Sequence, residues 1–124
     1  MLAAFEKHGV DATRRRLSRN FFFGDFDGTL LDEVVAHAAR TPEHVFVREI
    51  EGMCEWNGAE TARRCLLPVL HVAATFPTCS HAALAEAIPD AVLGQAVGTG
   101  HYVQLEVPDQ VNAMIEQFLR RYVA

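Results

Sequence analysis

The chain has 124 residues, half of them hydrophobic, and a formal net charge of −5. This length is typical of one ordinary domain and is sufficient to bury a real core. The acidic balance argues against a general nucleic-acid-binding role, because such proteins present clustered positive charge to the phosphates.

The cysteines and the first residues indicate the compartment. Cys54, Cys65 and Cys79 are three in number and lack close spacing, which fits reduced thiols better than a disulfide framework. Residues 1–7 lack the basic region and the long apolar stretch of a signal peptide. The sequence contains no run of about 18 uncharged apolar residues, so it predicts no membrane span. We therefore expect a cytoplasmic protein with no membrane partner.

The first 19 residues predict two helical pieces with a break near Gly9. The second piece carries a basic cluster of arginines at positions 14, 15, 16 and 19. An anion site or a partner site is one interpretation of this cluster. We favour a solvated helix face, because only Arg19 repeats the charge one turn further on.

An apolar run followed by two aspartates lies at residues 21–32, which read FFFGDFDGTLLD. Asp25 and Asp27 are two residues apart, a spacing at which two carboxylates can share a metal ion and divide the nucleophilic and proton-transfer roles. The segment resembles the first motif of the haloacid-dehalogenase-like phosphatases. This resemblance implies a Mg²⁺-dependent phosphatase with Asp25 as the nucleophile and Asp27 as the acid/base.

The other parts of that phosphatase apparatus match poorly. The family needs a lysine downstream of the aspartates, whereas the only lysine is Lys7, upstream of them. We therefore favour a helix start for this segment. Thr29 would be its cap, and Asp32 lies three residues later, as in a capping box. The phosphatase remains an alternative.

The middle of the chain predicts helices at 30–40, 43–55 and 59–65, followed by a strand at 69–74. The β-branched residues of 43–50 leave a strand open as an alternative for that segment. The strand at 69–74 is apolar almost throughout, which is typical of a parallel sheet covered on both faces.

The last third of the chain predicts a strand, a glycine turn, a histidine and a helix. The strand is the apolar run at 91–97, and Gly98, Gly100 and His101 follow it. Glycine adopts backbone angles that a Cβ atom forbids, so the turn can aim the histidine outward over the sheet edge. Pro108 begins the final helix. Apolar residues follow at helical spacing along one face of it, namely Val111, Met114, Ile115, Phe118, Leu119 and Tyr122.

This arrangement resembles the C-terminal end of the α/β-hydrolase family, in which a Gly-x-Gly-His turn follows the last strand. The resemblance implies that His101 is the general base of a nucleophile–acid–histidine triad. The reaction would be hydrolysis of an ester, a lactone or a related carbon–heteroatom bond in a small molecule, without a cofactor. The resemblance also divides the chain into a helical cap-like segment at 1–57 and the last two β/α units of the core at 58–124. Phe21, Phe22 and Phe23 would be available to line a pocket.

Two members of the triad have no clear counterpart. The family places its nucleophile in Gly-x-Ser-x-Gly, whereas the only serines, Ser18 and Ser80, have no flanking glycines, and the cysteines lack that turn too. No acidic residue follows the strand at 69–74 until Glu86, and Asp90 precedes the last strand. The identity of the triad acid therefore stays open.

The sequence as a whole predicts an α/β protein: a partial α/β-hydrolase-like fold with a helical cap segment and the last parallel strands. We expect it to act as the C-terminal part of an α/β-hydrolase-type enzyme. A non-catalytic fragment or subunit that acts by association is an alternative, and we expect self-association through an exposed sheet edge. Cys79 and His81 with His71 or His101 fit no structural zinc spacing, so we predict no metal site.

Overall fold

The computed structural model describes residues 2–24 and 28–123, which form two compact units, Met1–Trp56 and Asn57–Ala124. The described part of the first unit is helical, with α1 at Leu2–His8, α2 at Val10–Asn20, α3 at Gly28–Ala38 and α4 at Glu43–Glu55. The second unit follows the order α5 (Gly58–Ala62), β1 (Leu70–Ala73), α6 (His81–Ala87), β2 (Val92–Gln95), α7 (Val103–Glu106) and α8 (Pro108–Tyr122).

Gly9 separates the first two helices, as the sequence predicts. Its φ of 79° is a left-handed conformation that glycine adopts without steric cost, so the helical path stops there and resumes at Val10. The buried hydroxyl of Thr13 lies 2.8 Å from the Gly9 carbonyl oxygen and 3.1 Å from that of Ala4. The side chain thus ties α2 back to α1.

Arg14 is part of the interior of the first unit, and the prediction of a solvated arginine face is wrong for this residue. Its side chain is buried, and its guanidinium lies 4.7 Å from the centre of the Phe46 ring. Nη1 donates to the carbonyl oxygens of Ala38, at 2.9 Å, and Thr41, at 2.8 Å. These carbonyls lie at and just beyond the C-terminal end of α3, where the helix dipole favours a positive charge. Arg14 therefore caps α3 from α2.

The sheet of the second unit consists of β1 and β2, which are parallel, with Leu70 opposite Val92 and Ala73 opposite Gln95. The Val92 N–H donates to the Val69 carbonyl oxygen, and the Ala96 N–H donates to that of Ala73. The main-chain N–H and C=O groups of alternate β1 residues therefore point toward β2. Those of Leu70 and Val72 point toward the opposite edge of the sheet. Among the described residues, no strand pairs with that edge.

Helices cover this small sheet on both faces. On one face α8 approaches β2 closely, because a Cβ atom at Gly94 would lie 3.6 Å from both Sδ and Cε of Met114. On the other face His71 contacts His81, the first residue of α6. The buried apolar residues of this unit are mostly alanines, namely Ala73, Ala74, Ala87, Ala96 and Val111. The core is therefore thin, and most large apolar side chains lie near the surface.

The structure confirms the mixed α/β class, the parallel pair of strands and a final helix that starts at Pro108. The alternative of a strand at 43–50 is wrong, because that segment lies within α4. α3 begins at Gly28, so Thr29 lies within its first turn and does not precede it. α7 is absent from the sequence-based prediction, because four residues are too few to show a helical period. Within the described chain, no helix has the length and apolar character needed to cross a membrane.

Candidate active site

The carboxyl ends of the two strands are joined by hydrogen bonds between two threonines. The Thr75 N–H donates to the Thr99 carbonyl oxygen at 3.0 Å, and the Thr99 N–H donates to Thr75 Oγ1 at 3.2 Å. Thr99 is completely buried. Thr75 follows β1 and Thr99 follows β2, so this pair continues the strand contact beyond the last ladder bond.

The glycine turn after β2 is held on both sides. Gly98 has a φ of 71°, which permits the chain to turn out of the strand. The Gly100 N–H donates to both carboxylate oxygens of Glu106, each at 3.0 Å. Glu106 is the last residue of α7, and its own N–H donates to the Tyr102 carbonyl oxygen at 2.9 Å. The backbone is therefore anchored immediately before and immediately after His101.

His101 is exposed at this rim, and its ring lies edge-on to that of Tyr102, with ring centres 5.6 Å apart. It lines a small depression of about 130 Å³ together with residues of β1 and of the segment that follows β1, including His71, Pro77 and Thr78. In sheets with parallel strands, ligands bind beyond the carboxyl ends of the strands. The position of His101 matches that rule.

The serines and cysteines of the chain are the other candidates for a nucleophile. Ser80 caps α6, since its side chain accepts a hydrogen bond from the Ala83 N–H at 3.1 Å. Ser18 is buried in α2, within the first unit. Cys65 and Cys79 are exposed, and each thiol lies near a carbonyl oxygen, that of Leu67 at 3.9 Å and that of Ser80 at 3.7 Å.

Asp90 and Glu86 are the acidic residues that the sequence offers near the two strands, and they lie in different places. Asp90 is exposed just before β2, at the amino end of the strand and so at the opposite end from His101. Glu86 is exposed on α6. Glu106 and the two threonines are site residues that no motif of the sequence singled out for a role. Glu106 lies six residues after Gly100 in the sequence, and the fold of α7 brings its carboxylate to the Gly100 N–H.

The metal-binding candidates of the sequence lie only partly within the described residues. Asp25 and Asp27 lie outside the described residues, so the phosphatase motif has no described geometry. Within residues 2–24 and 28–123, no group of three or more histidine, cysteine, aspartate or glutamate side chains is arranged to hold a metal ion. Cys79, His81 and either His71 or His101 are not brought together as such a set.

His71 and His81 form a pair on the face of the sheet opposite α8. Their ring centres are 5.2 Å apart, and their planes are nearly perpendicular, at 83°. Burial, and secondarily the charge of His81, lowers the pKa of His71 below its usual value. His71 Nδ1 and His81 Nε2 are buried, and neither has a hydrogen-bond partner among the described residues.

Comparison with known proteins identifies no family for this chain. A scan against protein-family models finds no match, and a search of curated proteins finds no relative. The function is therefore argued from the geometry around His101.

Proposed function

We propose that the second unit presents His101 as the general base of an α/β-hydrolase-type triad that cleaves an ester, a lactone or a related carbon–heteroatom bond. One observation carries the proposal: an exposed histidine stands on an anchored glycine turn at the carboxyl end of a parallel strand. The anchored backbone holds the histidine at the strand end where ligands bind in parallel sheets.

In this reaction His101 takes the proton of a nucleophilic hydroxyl as that oxygen attacks the substrate carbonyl. It then returns the proton to the leaving oxygen when the acyl–oxygen bond breaks. In the second half of the reaction His101 takes a proton from a water molecule that attacks the acyl group, and it returns this proton to the nucleophile oxygen when the acid product leaves. The imidazole must stay in line with both atoms, so a fixed backbone lowers the entropic cost of each step. The hydrogen bonds of Gly100 and Thr99 support that fixed position.

The nucleophile comes from outside the 124 residues in this proposal, because they contain no Gly-x-Ser-x-Gly. A segment that brings a serine to His101 would extend the sheet along the free edge of β1, at Leu70 and Val72. The reading frame upstream of the Met1 codon gives a first check. An in-frame Gly-x-Ser-x-Gly would place the nucleophile on the same polypeptide, and its absence would direct the search to a partner.

The decisive experiment is His101→Ala in the protein as its own gene encodes it, assayed with p-nitrophenyl esters and lactones. We expect kcat/KM to fall by about 10²- to 10⁴-fold, because a general base contributes a factor of that size. Folding should be unchanged, because the side chain is exposed. His44→Ala, an exposed histidine on α4, is the matched control and should retain full activity.

Two outcomes would contradict this assignment. Turnover that survives His101→Ala would remove His101 from the reaction. Ester hydrolysis by residues 1–124 alone, abolished by a serine- or cysteine-directed reagent, would show that the nucleophile lies within them.

A second candidate function, from a different class, is a non-catalytic subunit that acts by association. It is favoured by the free edge of β1 together with large apolar side chains at the surface, of which Leu66 is 95% exposed and Leu67, Phe76 and Val97 are each 75% exposed. Apolar groups of this size at a surface are typical of interaction sites when they lie together. A protein that associates but hydrolyses no ester or lactone of the panel would favour this candidate.

A further inference from the structure

Three arginines of α2 lie on one strip of the helix and have no acidic partner among the described residues. Arg15, Arg16 and Arg19 are exposed, and Arg19 lies one turn beyond the other two. None of the ion pairs formed within the described chain involves α2. The helix dipole favours a cation in the last turn, which accounts for Arg19 but not for Arg15 or Arg16. Like charges at these spacings repel each other, so the strip would gain from an anion.

The same strip borders two adjoining clefts of the first unit. The smaller cleft, of about 390 Å³, is lined by all three arginines together with Ala12 and Asn20. The larger cleft, of about 590 Å³, lies between α1 and α2 and shares Ala12, Arg16 and Asn20 with the smaller one. Small-molecule sites in proteins are clefts of about 300–1,000 Å³. The guanidinium groups therefore surround a space of the size that a small molecule occupies.

The larger cleft has an apolar wall. Ala4 of α1 and Ala12 and Leu17 of α2 line it, and the aliphatic stem of Arg16 adds to this apolar surface. The Thr13 hydroxyl, which also lies there, is already bonded to carbonyl oxygens of α1 and of the turn that follows it. The apolar wall thus continues into the space that the arginines surround, and a ligand that matches both parts has an apolar chain and an anionic head.

We propose that this groove, lined by Ala4, Ala12, Leu17 and the three arginines, binds a single-chain anionic amphiphile of the fatty-carboxylate class. The carboxylate lies among the guanidinium groups, whose planar fork of donors matches two carboxylate oxygens. The alkyl chain covers the apolar wall and removes it from water. The site belongs to the first unit and does not depend on His101.

Three ligands separate the contributions of the head and of the chain. Decanoate carries both, acetate carries the head alone, and decyltrimethylammonium carries the same chain with the opposite charge. Calorimetric titration of the chain, with the amphiphiles kept below micelle-forming concentrations, should show saturable binding of decanoate alone, at one per chain. Equal binding of decyltrimethylammonium would overturn the role of the arginines, and equal binding of acetate would overturn that of the apolar wall.

Substitutions then test the groove itself. Arg15→Gln, Arg16→Gln and Arg19→Gln remove one charge each and should weaken decanoate binding about two- to fivefold, the size of an exposed ion pair. Ala12→Trp fills the space shared by both clefts and should abolish binding, although every arginine remains. Arg48→Gln, on α4 with its side chain 84% exposed, is the matched control and should bind as the parent does. An equal effect of Arg48→Gln and of the three α2 substitutions would contradict the proposal.

A measurement on the parent chain covers the case in which a variant fails to fold. Nuclear Overhauser contacts from the decanoate chain should reach the methyl groups of Ala4 and Leu17. Contacts confined to Met114, in the cleft between α8 and the sheet, would overturn the site. Anionic phospholipid vesicles give the last arm. Vesicle binding by the parent and by Ala12→Trp alike, with no binding of decanoate, would assign the arginines to a membrane surface and contradict the groove.

Discussion

At the scale of single residues, Arg14 shows how a charged side chain becomes part of an interior. The side chain is buried, and its charge is offset by carbonyl oxygens of Ala38 and Thr41 and by the face of Phe46. A guanidinium presents several donors in one plane, so one group can donate to two carbonyls near the end of a helix, of which that of Ala38 also accepts from the Thr41 N–H at 3.3 Å.

We predict that Arg14→Met lowers the free energy of unfolding of the first unit by about 2–4 kcal/mol, because two charge-assisted hydrogen bonds to the carbonyl oxygens of Ala38 and Thr41 are lost. Methionine keeps an apolar stem, so the change removes the donors together with the charge over the Phe46 ring. Arg15→Met, at an exposed position on the same helix, should change stability by less than about 0.5 kcal/mol. Denaturant titration, with hydrogen exchange of α2 and α3, measures both. Equal stability of the two variants would show that the Arg14 bonds contribute nothing.

At the scale of elements, the turn from β2 to α7 places the candidate catalytic histidine. Its geometry depends on a left-handed residue at Gly98, on the buried backbone of Thr99 and on the carboxylate of Glu106. Each feature acts on the main chain rather than on the imidazole. The turn therefore positions the His101 side chain by fixing the backbone that carries it, and not by contacts to the imidazole ring.

We predict that Gly98→Ala destabilises the second unit by about 1–2 kcal/mol, because a Cβ atom in the left-handed region meets the adjoining carbonyl. Gly94→Ala is the matched control in the same unit: its new methyl group would make an ordinary contact of 3.6 Å with Met114, and its φ is not positive. The control should be neutral or slightly stabilising, since alanine reduces the entropy of the unfolded chain. Thermal melts of both variants compare them directly, and equal losses would contradict the role given to the turn.

At the scale of the whole molecule, the second unit is a parallel pair of strands with helices on both faces and a free edge. Large parallel sheets bury their strands between further strands, whereas here the main-chain groups of Leu70 and Val72 face outward from β1. No lysine or proline interrupts β1 to discourage pairing with another chain. The free edge is therefore the place at which we expect association.

We predict that residues 1–124 self-associate in size-exclusion chromatography with light scattering, and that Val72→Pro shifts them toward the monomer. The Val72 N–H faces away from β2, so proline removes an outer donor and leaves the ladder with β2 intact. A cooperative melt of the variant would verify that the ladder remains. Leu67→Ser tests the exposed apolar surface separately. A monomeric parent chain, or association lost in Leu67→Ser and kept in Val72→Pro, would contradict pairing through the edge.

Local chemistry was sufficient to predict much of the architecture. Gly9 breaks the first helix, Pro108 begins the last, and the apolar run at 69–74 contains a strand of a parallel pair. These features can be predicted from the sequence because glycine, proline and the spacing of apolar residues determine the local backbone conformation. The same reasoning singled out His101 after its glycines, since a turn is a local property of the chain.

The tertiary structure alone decided which side chains are buried and which meet. Arg14 looks like its neighbours in the sequence, and only the packing of α2 against the end of α3 makes it an interior residue. The anchoring of Gly100 by Glu106 and the meeting of His71 with His81 likewise join residues from different elements. Such contacts depend on where whole elements come to rest, and that position is set by the sum of many weak packing interactions that no short motif encodes.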